Sequence, residues 1–223
     1  MGCVIDPLKV IMDELTIPAY KKDDTAVLVV DMQYYDAAPD YGLVENARKA
    51  GVDVTYYCDR LALITKNIKR LIDCARAKEV PVIYCTIESL TPSGIDRSYM
   101  HKAAGLNAQP GSKDGKILEE IAPLEGEILL KKTCSGVFNG TNIDQILHNI
   151  GIRNLIVTGV VTNQCVDTAV RDAADRGYSV TLLEDGCAAF HPTLHEATIE
   201  ILDGIYARIS DTDAAIANIA ASN

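Results

Sequence analysis

Three side chains suited to acyl-transfer chemistry close predicted strands in this sequence: Asp31, Lys132 and Cys165. Cys165 lies in LIVTGVVTNQCVDTAVRD, residues 155–172. Leu155-Ile156-Val157 is apolar and β-branched and predicts a buried strand, which Gly159 breaks. Asn163 to Arg176 predicts a helix, with Val166, Ala169, Val170 and Ala173 at i, i+3, i+4, i+7 spacing. Cys165 then sits in the first helical turn, just beyond a strand. Free backbone N–H groups and the helix dipole favour a thiolate there, and any oxyanion formed beside it. A cysteine nucleophile also needs a base and a site for the developing oxyanion. Asp31 is the candidate to accept the thiol proton and later to activate water. Lys132 is the candidate cation, favouring both thiolate and carboxylate. The N–H groups of Val161 and Cys165 are the candidate oxyanion donors. Such a set suits attack on a carbonyl carbon, a thioester and then hydrolysis, and this chemistry requires no cofactor.

The elements that must position these residues alternate between strand and helix. Ala26 to Val30 is a continuous apolar run closed by Asp31 and predicts a buried parallel strand. Met32 to Asp59 predicts a long loop. Leu61 to Lys78 predicts a helix with Leu61, Ile64, Ile68, Leu71, Ile72 and Ala75 on one face. Pro81 opens a strand over Val82 to Ile87, where a first-position proline is tolerated. Glu88 to Lys116 is a polar insertion of the kind that forms lids. Glu127 to Lys131 predicts a strand with Lys132 at its end, and Thr141 to Asp144 an N-cap before a helix with Ile143, Ile146, Leu147 and Ile150 inward. A strand over Ser179 to Leu183 ends at Glu184-Asp185-Gly186. A helix from Pro192 to Gly204, a short strand from Tyr206 to Ile209 and a helix capped by Asp211 follow. This order predicts an α/β fold: three layers, doubly wound around a mainly parallel sheet of about six strands. Asp31, Lys132 and Cys165 then share the carboxyl edge, where ligands bind in open α/β sheets. One domain spanning 1–223, with residues 1–24 as an N-terminal arm, is expected.

Composition narrows the partners. The chain has 223 residues, 48% hydrophobic and 23% charged, with a net charge of −10. That charge argues against a nucleic-acid partner, because phosphate contacts need a basic surface. No stretch approaches the apolar length of a membrane span, and the N-terminus lacks the apolar core of a signal peptide. Met1-Gly2-Cys3 begins like a myristoylation signal, but Asp6 stands where Ser or Thr is wanted. Seven cysteines without a C-x-x-C pair fit a reduced, cytoplasmic compartment. Cys58, Cys74, Cys85 and Cys187 read as core residues, Cys134 as a neighbour of Lys132, and His195 as a capping or packing residue. Gln33, Tyr34, Glu88, Arg97 and Thr162 are the candidate substrate contacts. Arg97 suits a substrate carboxylate, and Thr162 suits either a substrate or a helix cap.

Three segments carry a family likeness: AVLVVDMQ at 26–33, ILLKKTCSGVFNGTNID at 128–144 and VTGVVTNQCVDTAVRDAADRGY at 157–178. Over roughly Thr25 to Asp211 the chain resembles the isochorismatase-like cysteine hydrolases. That group holds nicotinamidases, N-carbamoylsarcosine amidases, biuret hydrolases and ureidoacrylate amidohydrolases. The resemblance implies a Rossmann-like fold, with the catalytic aspartate on Asp31 and the nucleophile on Cys165. Matched without a gap, it places the catalytic lysine on Lys132. Aligning Ser135 with the family serine instead shifts the register to Lys131, which would face the other side of its strand. The resemblance further implies a cis peptide at Val160–Val161 and a homo-oligomer, dimer or tetramer. Isochorismatases proper lack the cysteine, so Cys165 favours hydrolysis of a C–N bond. Nicotinamidases usually carry an Asp and two His as metal ligands after the second strand. Residues 86–93 here, TIESLTPS, hold no His, so no metal is expected. The expected substrate is a small linear amide, carbamoyl or ureido compound. The alternatives are a nicotinamidase-type amidase and a catalytically silent small-molecule-binding homologue.

Overall fold

In a computed structural model that describes residues 6–11 and 14–221, the chain runs through β1 (Thr25–Val30), α1 (Tyr34–Ala37), α2 (Gly42–Lys49), α3 (Thr55–Ala77) and β2 (Val82–Ile87). It continues through α4 (Tyr99–Ala103), β3 (Ile128–Lys132), α5 (Val137–Gly140), α6 (Ile143–Asn149) and β4 (Asn154–Val160). Then come α7 (Asp167–Asp175), β5 (Ser179–Ala188), α8 (Pro192–Leu202), β6 (Arg208–Ser210) and α9 (Thr212–Ala221). The Met1-Gly2-Cys3 signal lies outside the described residues. Among them, no helix is long and apolar enough to cross a membrane.

The alternation of side chains along β1 explains the three layers. Val27 and Val29 join one apolar cluster with Leu61, Ile64, Ile68 and Leu71 of α3 and Ile219 of α9. Ala26, Leu28 and Val30 join a second cluster with Ile143 and Leu147 of α6 and Ala169, Val170 and Ala173 of α7. With helices on both faces β1 is buried throughout, which accounts for its unbroken apolar run. The six strands lie in the order β3-β2-β1-β4-β5-β6, and every neighbouring pair is parallel. The winding reverses between β1 and β4. Ligands of such sheets bind outside the carboxyl ends at that reversal. Asp31 and Cys165 follow the two strands that flank it.

Several boundaries differ from expectation. The stretch 32–59 is not one loop: it holds α1 and α2, and α3 begins at Thr55, ahead of the apolar face that starts at Leu61. β4 runs through Gly159 rather than stopping there. Gly159 has φ +121°, and a Cβ on it would stand 2.0 Å from Val30 O, so only glycine allows β1 and β4 to close at this point. β5 continues past Gly186 to Ala188, with a register shift against β4 between Val157 and Gly159. The last strand is Arg208–Ser210, a little later than expected. Of the two expected caps, Asp211 is present, with Ala214 N donating to its Oδ1 at 2.7 Å, whereas α6 is capped at Asn142 with no side-chain cap bond and Thr141 Oγ1 instead accepts from Ile143 N at 3.1 Å in the turn before it. In the arm, Tyr20 is buried, and its hydroxyl donates to Thr181 Oγ1 at 2.8 Å.

The insertion between β2 and β3 is sewn down near the carboxyl edge. Tyr34 N donates to Lys116 O at 2.8 Å and Leu118 N to Met32 O at 3.0 Å. Ser98 N, just before α4, donates to Thr133 O at 3.0 Å. All three bonds are with the segments that follow β1 and β3.

Candidate active site

The structure brings Asp31, Lys132 and Cys165 together. Lys132 Nζ lies 2.7 Å from Asp31 Oδ2, 3.5 Å from Cys165 Sγ and 3.2 Å from Cys134 O. Its three hydrogens therefore have three acceptors, which matters for an ammonium with no solvent exposure. Each residue arrives there by a local rule. Asp31 takes φ +50°, a conformation Asp tolerates better than most side chains, and this turns the chain out of β1. β3 is an edge strand, and along it Lys131 faces solvent while Lys132 faces inward. Lys131 Nζ instead holds Glu88 Oε1 at 2.6 Å. Cys165 sits in a π-turn, Thr162–Val166, that leads from β4 into α7. The peptide bond between Val160 and Val161, at the head of that turn, is cis.

The charges of the cluster are coupled. Burial pushes the Cys165 thiol well above its ordinary value, and the Asp31 charge and a hydrogen bond to it add to the shift, while Lys132 opposes it. Burial and the Asp31 charge therefore act against the thiolate that the helix start and Lys132 favour. Burial works against the Lys132 ammonium, but Asp31, Cys165 and Cys85 overturn it and raise its pKa. Cys85 lies under Asp31, with Sγ 3.9 Å from Asp31 Oδ1, and burial pushes its thiol up as well.

Four of the candidate substrate contacts have other employment. Gln33 Nε2 donates to Ile87 O at 2.9 Å and Asp114 O at 3.1 Å, and Ile87 N donates to Gln33 Oε1 at 2.6 Å. That amide is fully used in holding two segments together. The Tyr34 ring lies under Lys113 Nζ, 4.3 Å from its centroid, and borders a groove with Ala37, Leu61, Lys66 and Leu118 instead of the three clustered residues. Glu88 is fastened to Lys131. The Arg97 guanidinium donates to Gly94 O at 2.9 Å and to Leu106 O, so it ties its own loop. Thr162 is buried at the head of the π-turn, with Oγ1 2.9 Å from His195 Nδ1.

His195, expected as a capping or packing residue, is buried and bonded within the protein, and two further buried polar residues, His101 and Asp36, have no marker in the sequence. His195 joins Thr162 to Arg60, whose Nη2 lies 2.7 Å from His195 Nε2. Burial and Arg60 pull the His195 pKa down to about 4. His101 of α4 is 1% exposed and its Nδ1 has no hydrogen-bond partner. Burial and the Lys132 charge lower its pKa. Asp36 of α1 is 5% exposed, and its Oδ2 has no partner either. The DMQ following β1 pointed to Asp31, but nothing in local spacing marks Asp36 as buried. Among the described residues, no group of three or more His, Cys, Asp or Glu side chains is placed to hold a metal ion.

The chain is similar to known proteins in both sequence and fold. A family model described as the isochorismatase domain matches residues 25–214. The ureidoacrylate amidohydrolase RutB of Agrobacterium fabrum is 34% identical over 215 residues, covering 83% of this chain and 88% of that protein. Nicotinamidase 3 of Arabidopsis thaliana is 31% identical over 156 residues, 67% of this chain and 76% of that protein. The crystal structure of a cysteine hydrolase from Pseudomonas syringae superposes with a TM-score of 0.78 at 25% identity, covering 93% of this chain and 97% of that one.

Proposed function

The chain belongs to the isochorismatase family of hydrolases, and from that premise we propose that it is a cysteine-dependent amidohydrolase. Its proposed reaction cleaves the C–N bond of a small linear amide, carbamoyl or ureido compound. The observation that carries this reading is the Lys132 ammonium seated between Asp31 Oδ2 at 2.7 Å and Cys165 Sγ at 3.5 Å, with all three side chains out of solvent. The relatives named for ureidoacrylate and nicotinamide hydrolysis support the reaction class.

In the proposed sequence Asp31 takes the Cys165 proton as Sγ attacks the carbonyl carbon. Proton transfer and attack belong together, because the isolated thiolate is disfavoured in this burial. The N–H groups of Val161 and Cys165 receive the oxyanion. As it collapses, the C–N bond breaks and Asp31 passes its proton to the leaving nitrogen, releasing ammonia or an amine. A water then gives a proton to Asp31 and attacks the thioester. Collapse of the second oxyanion expels Sγ, which recovers the proton, and the acid product leaves. Lys132 stays charged throughout and holds Asp31 and Sγ in line.

The test is ammonia release from nicotinamide, biuret, N-carbamoylsarcosine, ureidoacrylate and simple amides, each run beside Cys165→Ala. Release from one compound that vanishes in the variant supports the reading. Release that persists in the folded variant would sink it.

A further inference from the structure

Arg60 of α3 takes no part in the steps above, yet its guanidinium reaches the turn that carries Cys165 through one intermediary. It first meets an irregularity of the sheet. Val157 of β4 stands opposite Leu182 of β5, and Gly159 stands opposite Cys187, so Leu183 to Gly186 bulge against the single residue Thr158. Bulges bend a strand and leave backbone groups outside the ladder. Arg60 takes up two carbonyls of this one: Nε donates to Cys187 O at 3.0 Å, and Nη2 donates to Glu184 O.

The same Nη2 lies 2.7 Å from His195 Nε2. A guanidinium has donors and no acceptor, so the ring nitrogen facing it must accept. That excludes the imidazolium and the tautomer protonated on Nε2. One state is left, a neutral ring with its proton on Nδ1, and Nδ1 is 2.9 Å from Thr162 Oγ1. The lowered pKa of His195 agrees with the neutral ring.

Thr162 opens the π-turn Thr162–Val166. Backbone bonds hold the turn to its own head: Gln164 N and Val166 N donate to Val161 O at 2.9 and 3.3 Å. The side chain of Asn163 leaves its Oδ1 without a partner. Among the described residues, and apart from the contacts of Cys165 itself, the bond between Thr162 and His195 is the one hydrogen bond that ties a side chain of this turn to another element. Arg60 thus stands at the far end of a chain of bonds that starts at the β5 bulge, passes through α8 and ends where the nucleophile is presented.

We propose that Arg60 is a positioning residue for the nucleophile: it admits only the His195 ring state that donates to Thr162, and through that donor it holds the π-turn that presents Cys165 Sγ and the N–H of Val161. The proposal rests on the hydrolase reading above and adds a residue that acts through two others.

The first readout is the ring itself. Long-range proton–nitrogen correlation NMR at about pH 7 separates a ring nitrogen that carries a proton from one that does not, and His195→Ala identifies the signals. The parent should show His195 protonated on Nδ1. Arg60→Met keeps most of the side-chain length but has no donor, and its ring should move toward the other tautomer. Arg60→Lys keeps a donor and should keep the parent tautomer. Ammonia release is then measured with whichever of nicotinamide, biuret, N-carbamoylsarcosine and ureidoacrylate the parent hydrolyses. Arg60→Met should lower kcat about 10-fold with KM within about 2-fold, and Arg60→Lys should stay within about 3-fold of the parent in kcat. Arg60→Met combined with His195→Ala should lose little more than either alone, because both break one chain. A parent ring protonated on Nε2 would overturn the proposal whether or not any variant folds. Undiminished kcat in Arg60→Met or additive losses in the double variant would overturn it too. So would an Arg60→Lys as impaired as Arg60→Met, which would assign the loss to the packing of β5. The hydrolase reading itself fails on a different result, turnover that survives Cys165→Ala.

Discussion

His195 Nδ1 stands 2.9 Å from the Thr162 hydroxyl, and this contact sets where the hydroxyl proton can go. Arg60 can only donate, so His195 Nε2 accepts from it at 2.7 Å. The ring proton is then on Nδ1 and points at Thr162 Oγ1. The Thr162 hydroxyl proton must then turn away from the ring. His195→Ala and Thr162→Val should each lower kcat about 10-fold, and the double variant should be little worse than either. Additive losses in that cycle would show that the two residues act separately. Because burial and Arg60 keep His195 near a pKa of about 4, the effect should be flat between about pH 6 and 8.

The two adjacent lysines of β3 should behave unlike each other. Lys132→Met leaves the Asp31 carboxylate buried without its cation, and breaking such a pair costs about 3–5 kcal/mol. Loss of turnover by about 1000-fold or more is expected, with a large fall in Tm. Lys131→Met removes a half-exposed partner of Glu88 and should leave turnover within about 3-fold of the parent. Steady-state assays and thermal melts of both variants check the register.

Asp31→Asn should separate nucleophile acidity from catalysis. Asp31 holds the Cys165 thiol up, so its removal lets Lys132 pull the thiol down. The variant should alkylate with iodoacetamide faster than the parent at about pH 8, yet hydrolyse nothing, since no base remains to protonate the leaving group or activate water. Slower alkylation together with lost turnover would contradict this division of roles.

Asp36 gives stability a pH dependence of definite sign. In the folded protein burial and the Asp31 charge keep its proton on, while the unfolded chain releases it near about pH 4. The stability linked to that proton is complete below the unfolded value and is lost as pH rises toward the folded one. Asn has no proton to release. Asp36→Asn should therefore melt higher than the parent at about pH 7, with the difference shrinking toward about pH 4. Parallel melts across that range would show it, and a constant difference would assign the effect to packing.

Sequence patterns disclosed whatever depends on neighbours along the chain. The apolar runs before Asp31 and Cys165 located two strands and the shared edge, and the alternation along β3 separated Lys132 from Lys131 once the segment was matched without a gap. Gly159 misled, because a glycine that ends a strand and one that lets two strands approach look alike until Val30 O is seen 2.0 Å from its missing Cβ. The partners of His195, Asp36 and Gln33 are set by contacts between distant segments, as in the Arg60–His195 pair, and no spacing rule reports those. The acidity of Cys165 depends on such contacts too. A helix start is visible in sequence, whereas the depth of burial and the nearness of Asp31 are not.

The amide of Gln33 meets both the N–H and the C=O of Ile87, as the peptide group of a neighbouring strand would. It is a counterfeit rung of the ladder, carried on a side chain and added beyond the last residue of β1. Sheet and loop are thereby joined where the backbone alone would let them part. Whoever redesigns this enzyme for another substrate should count Gln33 as scaffold. A glutamate there would match it in length but could offer Ile87 O no proton, so exchanging one amide for one carboxylate is enough to undo the rung.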